Sequence, residues 1–166
     1  YEVERTGRRS DYLRVLRLLA ESLEDPALPR ECTARSGDYW HKYATESLEP
    51  LEGARLEAIA LRLYRAAECA TTDRKARFEK ARVLLEQFSA ESTNLSPARQ
   101  KEMLLLTARA SSKSGHHRKA VEYFLQLLDV ETLQTMRQGH IWEDLADAYF
   151  DQASEAVLGE ERIKQF

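Results

Sequence analysis

The chain has 166 residues, 43% of them apolar and 32% charged, with only 6 Gly and 4 Pro; that length can bury a core without disulfides or metals, and the wealth of Ala, Leu, Glu, Arg and Lys favours helix. Lys and Arg number 25 against 28 Asp and Glu, a formal charge of −3, which argues against a general nucleic-acid binder because phosphates call for a basic surface. Cys32 and Cys69 are the two cysteines, too few for a disulfide framework and without metal-ligand spacing.

With almost no alternation of β-branched and polar residues, the chain reads as all-α. A first helix is predicted over 11–24, with Ser10 as N-cap and Tyr12, Leu16, Leu19 and Leu23 recurring every three or four residues; Pro26 and Pro29 end it. A helix could run on from Pro29, but Ser36-Gly37-Asp38 reads as a break, with Asp38 capping a helix that carries Trp40, Tyr43, Ala44 and Leu48 and closes at Pro50. A third helix, 51–70, carries Leu56, Ile59, Ala60, Leu63, Tyr64 and Ala67. Thr72 or Asp73 caps a fourth, 73–89, with Phe78, Ala81, Leu85 and Phe88 as its stripe. Ser96 followed by Pro97 is a cap with a first-turn proline, and the helix it opens runs to Gly115 as C′ residue. A sixth helix opens near His117 and buries Ala120, Tyr123, Phe124, Leu127 and Leu128. The seventh, 141–157, presents Trp142, Leu145, Ala146 and Tyr149 on one face, and Gly159 ends or bends it.

The turns near Thr72 and Gly115 are short, whereas the connections over 90–96 and 131–138 are long. Short turns join antiparallel neighbours, so helices three and four form one hairpin and five and six another. Arg-Lys-Ala opens the second helix of both, at 74–76 and 118–120.

These residues resemble the tetratricopeptide repeat, a helix–turn–helix unit of about 34 residues. The likeness is clearest over 101–150. Leu104 and Ala108 stand at the bulky and small positions of the first helix, Gly115 at the turn, and Ala120 and Phe124 at the small and aromatic positions of the second. Trp142, Leu145, Ala146 and Tyr149 are similar to the motif's opening W-x-x-L-G-x-x-Y, with Ala146 for the glycine, and in the earlier hairpin Ala76 takes the small position. Thr132 stands where the motif closes on proline, so the array is divergent. The resemblance implies an all-α fold of antiparallel helical hairpins stacked as a short TPR-like α-solenoid of about seven helices, with 1–166 as one domain.

The resemblance also implies that the first helices of successive hairpins line a concave groove. Arg65, Leu105, Arg109, Lys113, His140, Asp147 and Phe150 would then face it. Arg65, Arg109 and Lys113 could bind a carboxylate of a partner peptide through charge-assisted bonds; the blander reading makes them solvated surface charges. His116 and His117 fit a turn and helix cap rather than a metal or catalytic site, since no carboxylate or Cys follows at helical spacing. Glu143, Asp144, Asp147 and Asp151 form an acidic side of the seventh helix; for Glu143 and Asp144, helix-dipole complementarity near the N-terminus suffices. Arg14 and Arg17 share a helix face and belong to an Arg-rich strip with Arg30 and Arg35, which the nearby Glu21, Glu24 and Asp25 turn into a mixed solvated surface by default.

No Walker loop, G-x-S-x-G or dinucleotide fingerprint occurs, so no enzyme activity, cofactor or metal is expected. The expected function is a protein–protein interaction or scaffold module holding a partner peptide or helix, in the groove or at the ends. The alternatives are a regulatory helical domain of a larger enzyme or of a transcription or assembly factor and, ranked lower, an RNA-binding helical repeat. Tyr1 in place of Met suggests a piece of a longer chain. The apolar faces of 12–23 and 158–166 are expected to pack on further domains, a partner or a second copy. No apolar run reaches membrane-spanning length and no signal peptide opens the chain, so an intracellular location is expected.

Overall fold

A computed structural model describes residues 2–47, 50–92, 94–130 and 138–163, with side chains described within 7–128 and 140–157. The described residues form seven α-helices and no strand: α1 (Glu2–Ser22), α2 (Arg30–Glu46), α3 (Gly53–Cys69), α4 (Arg74–Glu91), α5 (Pro97–Lys113), α6 (His117–Val130) and α7 (Gln138–Ile163). Where the sequence suggests one domain, the contacts divide the chain into two compact units, Tyr1–Thr93 and Asn94–Phe166. Within each unit helices pack on their chain neighbours, α1 on α2, α2 on α3 and α3 on α4 in the first, α5 on α6 and α6 on α7 in the second. Both expected hairpins, α3–α4 and α5–α6, are present. Thr132 and the side chains of 158–166 lie outside the described residues.

In the first unit α3 lies between two neighbours, and its buried residues, Leu56, Ile59, Ala60, Leu63, Tyr64, Ala66 and Ala67, accordingly cover a wide arc of the helix. Each large apolar side chain removed from water here contributes about 1.5–3 kcal/mol before entropy is charged against it. Ser36-Gly37 does not break α2, which runs straight through both. The glycine serves packing instead: a Cβ on Gly37 would lie 2.5 Å from the Ala66 Cβ, so its absence lets α2 and α3 close up. Polar ties span the same helices. Trp40 Nε1 donates to Glu24 Oε1 at 2.6 Å while the Arg62 guanidinium stacks 4.3 Å over the indole and pairs with the other Glu24 oxygen at 3.3 Å. Arg77 of α4 reaches across to α2, donating to the Ala34 carbonyl at 2.7 Å and, as a fork, to both Asp38 oxygens at 3.0 Å.

In the second unit Ser96 caps α5, its hydroxyl accepting from the Arg99 amide at 3.3 Å, with Pro97 in the first turn. Gly115 at φ 87° closes the helix. The His116 amide bonds the Ser111 carbonyl at 2.8 Å and the Gly115 amide that of Ser112 at 3.0 Å, the pairing of a Schellman cap that needs a left-handed residue. The core gathers Ala108, Ala120, Val121, Phe124, Leu127, Ile141, Leu145 and Ala148. Ala108 and Ala120 are fully buried, small residues placed where α5 and α6 meet closely.

The sequence misplaces several details. Ser10 and Asp38 lie inside helices rather than at caps, and α7 continues through Gly159 to Ile163. Asp73 does stand at the N-cap of α4, in a left-handed conformation, but its side chain makes no cap bond. Ala76 is exposed, and the fully buried alanine of α4 is Ala81. Ala76 is the third residue of its helix and Ala120 the fourth of its own. One position turns a side chain by about 100°, so the shared Arg-Lys-Ala does not mark equivalent sites.

Candidate functional site: the α5–α7 pairing and the outer side of α7

Of the residues expected at a groove, the second unit brings several onto α5 and α7. Arg109 Nε donates to Asp144 Oδ2 at 2.7 Å, with both side chains 32% exposed. This pair ties α5 to α7, so the Arg109 guanidinium already has a carboxylate before any partner arrives. Lys113, one turn on, is exposed in the last turn of α5, where a cation suits the helix dipole. Leu105 is half-buried and packs against the core of this unit. His140 stands exposed at the start of α7 with Nδ1 3.4 Å from Glu143 Oε2. Asp147 is exposed, and Phe150 is 72% exposed. Arg65 belongs to the first unit; it is exposed on α3 and makes no hydrogen bond or ion pair among the described residues.

Local spacing misses the setting of His117. Its imidazole, 11% exposed at the start of α6, lies between two carboxylates of α7: Nδ1 is 3.7 Å from Asp151 Oδ2 and Nε2 is 3.4 Å from Glu155 Oε1. No carboxylate follows His117 at three or four residues; these arrive from across the helix pair. The acids of α7 therefore divide, Asp144 serving α5, Asp151 and Glu155 serving α6, while Glu143 and Asp147 face water. Among the described residues no group of three or more His, Cys, Asp or Glu is placed to hold a metal ion. Cys32 and Cys69 are free and half-buried.

The outer side of α7 is apolar. Trp142, Leu145, Ala146 and Tyr149 read from the sequence as one face, but α6 covers only the arc of Ile141, Leu145 and Ala148. Trp142 at 49%, Tyr149 at 48% and Val157 at 57% stay exposed, with Ala146 and Ala153 between them. These five recur at i, i+4, i+7, i+11 and i+15, a continuous stripe along the helix, and Phe150 borders it. The sequence signal for a second face was the excess of apolar residues in α7 over what one neighbour can bury. Glu143 and Asp147, seven and three residues before Phe150, line the same edge. A smaller apolar strip, Val15, Leu18 and Leu19, is exposed on α1 in the first unit. Among the described residues no helix is long and apolar enough to cross a membrane. No family model matches the chain, and no curated protein or solved structure matches it.

Proposed function

We propose that the chain is a protein–protein interaction module that takes an amphipathic helix of a partner on the outer side of α7. The observation that carries this reading is the uncovered stripe of Trp142, Tyr149 and Val157, which with Phe150 leaves four large apolar side chains of one helix about half or more in water. Contiguous apolar surface rimmed by charge is characteristic of partner sites, and a helix reads such a stripe through side chains three and four apart. Exposed Glu143 and Asp147 border it, so the fitting helix carries Lys or Arg beside its own apolar stripe. Those charges set partner choice and association rate more than affinity.

The test uses a synthetic amphipathic peptide of about 20 residues with a leucine stripe and a lysine flank, and Trp142 as reporter. Trp40 is 2% exposed and thus nearly silent to acrylamide, so quenching reads Trp142. The peptide should shield Trp142, Tyr149→Glu with Val157→Glu should abolish the effect without loss of helicity, and a glutamate-flanked peptide should bind roughly tenfold more weakly. Unchanged quenching at saturating peptide, or full binding by the double variant, would remove the basis of the proposal.

A further inference from the structure

The α7 stripe calls for an amphipathic helix with Lys or Arg beside its apolar side chains, and the chain carries such a helix itself. α1 buries Leu16 and Ala20, while Val15 at 51%, Leu18 at 50% and Leu19 at 42% stay exposed. Positions i, i+3 and i+4 share one face of a helix, so these three make a single strip. Away from α1 and α7, the exposed large apolar side chains among the described residues stand singly, as Leu28, Val83 and Leu125. Exposed apolar surface thus gathers on the first and last helices, where a repeat stack needs a polar outer side if it is to remain alone in water. Charge then sets the two helices against each other. Between residues 8 and 19, α1 carries Arg8, Arg9, Arg14 and Arg17 against Asp11. Arg8, seven residues before Val15, and Arg14, four before Leu18, are exposed beside the strip. Arg9 donates to the Glu46 carbonyl, a neutral acceptor, and Arg17 pairs with Glu21 at 3.8 Å. Between residues 141 and 157, α7 carries Glu143, Asp144, Asp147, Asp151 and Glu155 and no Lys or Arg. Arg109 takes Asp144, and His117 lies between Asp151 and Glu155, while Glu143 and Asp147 face water beside the stripe.

We propose that the helix taken by the α7 stripe is α1 of a second copy of this chain, so that copies associate head to tail. The proposal rests on α7 taking a partner helix and names that helix. The two apolar strips cover one another, and the basic side of α1 meets the acidic side of α7, which favours this pairing over α1 on α1 or α7 on α7, where like charges would face each other. Because one face meets a different face, each added copy brings a further α1 and a further α7, and association continues until the set closes on itself. One helix against one helix is a small interface, so a Kd of about 10–100 µM is expected.

The experiment is sedimentation equilibrium of the intact chain from about 10 to 500 µM, a range that brackets the expected Kd. The weight-average mass should climb above the 19.1 kDa of one copy, and climb less at high salt. Two variants then separate the faces. Val15→Glu with Leu18→Glu removes the α1 strip and Tyr149→Glu with Val157→Glu the α7 stripe, all at exposed positions, with circular dichroism confirming that helicity is kept. Each variant alone should stay at the mass of one copy. An equimolar mixture should form a one-to-one pair, because the intact α1 of one variant meets the intact α7 of the other. A constant mass for the original chain, association of either variant alone, or a mixture that does not pair would each overturn the proposal. The lysine-flanked peptide separates this failure from that of the α7 reading. If it shields Trp142 while the chain stays at the mass of one copy, the stripe takes a helix of another protein; if the peptide fails as well, the α7 reading falls with the proposal.

Discussion

His41 on α2 is half-buried, and burial first, then the like charge of Lys80 from α4, push its imidazole below the ordinary histidine value of 6.5, with Asp38 opposing them in part. The sign of the consequence follows from proton counting. Between the lowered folded value and 6.5 the unfolded chain binds more protons than the folded one, so stability that is complete above 6.5 is lost as the pH falls through the folded value. Urea midpoints measured from pH 7.5 down to pH 5 should therefore fall, and His41→Gln should make the fall shallower, because glutamine has nothing to protonate. Identical slopes for both proteins would mean that the folded chain protonates His41 as readily as the unfolded one. Arg82 shows the opposite arrangement. Its guanidinium is buried but forks onto Glu79 at 2.6 Å and Glu86 at 2.5 Å on its own helix, and the Glu79 bond raises its affinity for the proton despite the cost of burial. A charge on a core-facing position is thus satisfied within one helix, and removing both acids would leave it buried without a partner, the costly case.

At the scale of helices, the sequence is legible wherever a boundary carries its own chemistry. Ser96-Pro97 and Gly115 announce α5 and its end because a cap, a proline in the first turn and a left-handed residue are local requirements. Gly37 misleads for the opposite reason: the need for it arises 29 residues away, at Ala66 on a neighbouring helix, and no local rule distinguishes a breaker from a close approach. The Ala76 and Ala120 comparison fails similarly, since a shared tripeptide does not fix its phase on the helix. His117 between Asp151 and Glu155 and the Arg109–Asp144 pair are contacts between helices, which periodicity within one helix cannot reveal. The α2–α3 approach gives a direct check. In Gly37→Ala the new Cβ meets Ala66 at 2.5 Å, and the methyl can retreat only if the helices part. Overpacking costs about 1–3 kcal/mol, against about 1 kcal/mol gained in helix propensity, so a net loss of up to about 2 kcal/mol is expected in urea unfolding. In an Ala66→Gly background the clash is gone and the same substitution should be neutral or stabilising. Equal losses in both backgrounds would show that α2 and α3 are not held at this distance.

For the whole molecule, the division into two units makes a claim about folding that each unit's interior supports. The first unit contains both ends of its long-range polar ties: Glu24 with Trp40 and Arg62, and Arg77 with Asp38 and the Ala34 carbonyl. It also contains its own stacked rings, Trp40 against Tyr43 and Tyr64 against Phe78, both edge-on at centroid distances of 5.8 and 5.5 Å. Ninety-odd residues in four helices with such a core lie within the range of independently folding domains. The second unit, three helices around Phe124 and Leu145 with the α7 stripe left in water, has less apolar surface to offset its chain entropy. A protein ending at residue 93 is therefore expected to fold alone. Trp40, its sole tryptophan, should keep the blue-shifted emission of a buried indole and lose it in one cooperative urea transition that coincides with the loss of helical circular dichroism. The complementary piece from residue 94 should unfold at lower urea, and regain stability when the α7 stripe is covered by the lysine-flanked peptide, since a ligand that binds only the folded form stabilises it by mass action. Red-shifted Trp40 emission in water from the shorter protein would mean that its core is completed by residues beyond 93, and the two units would then have to be treated as one cooperative body.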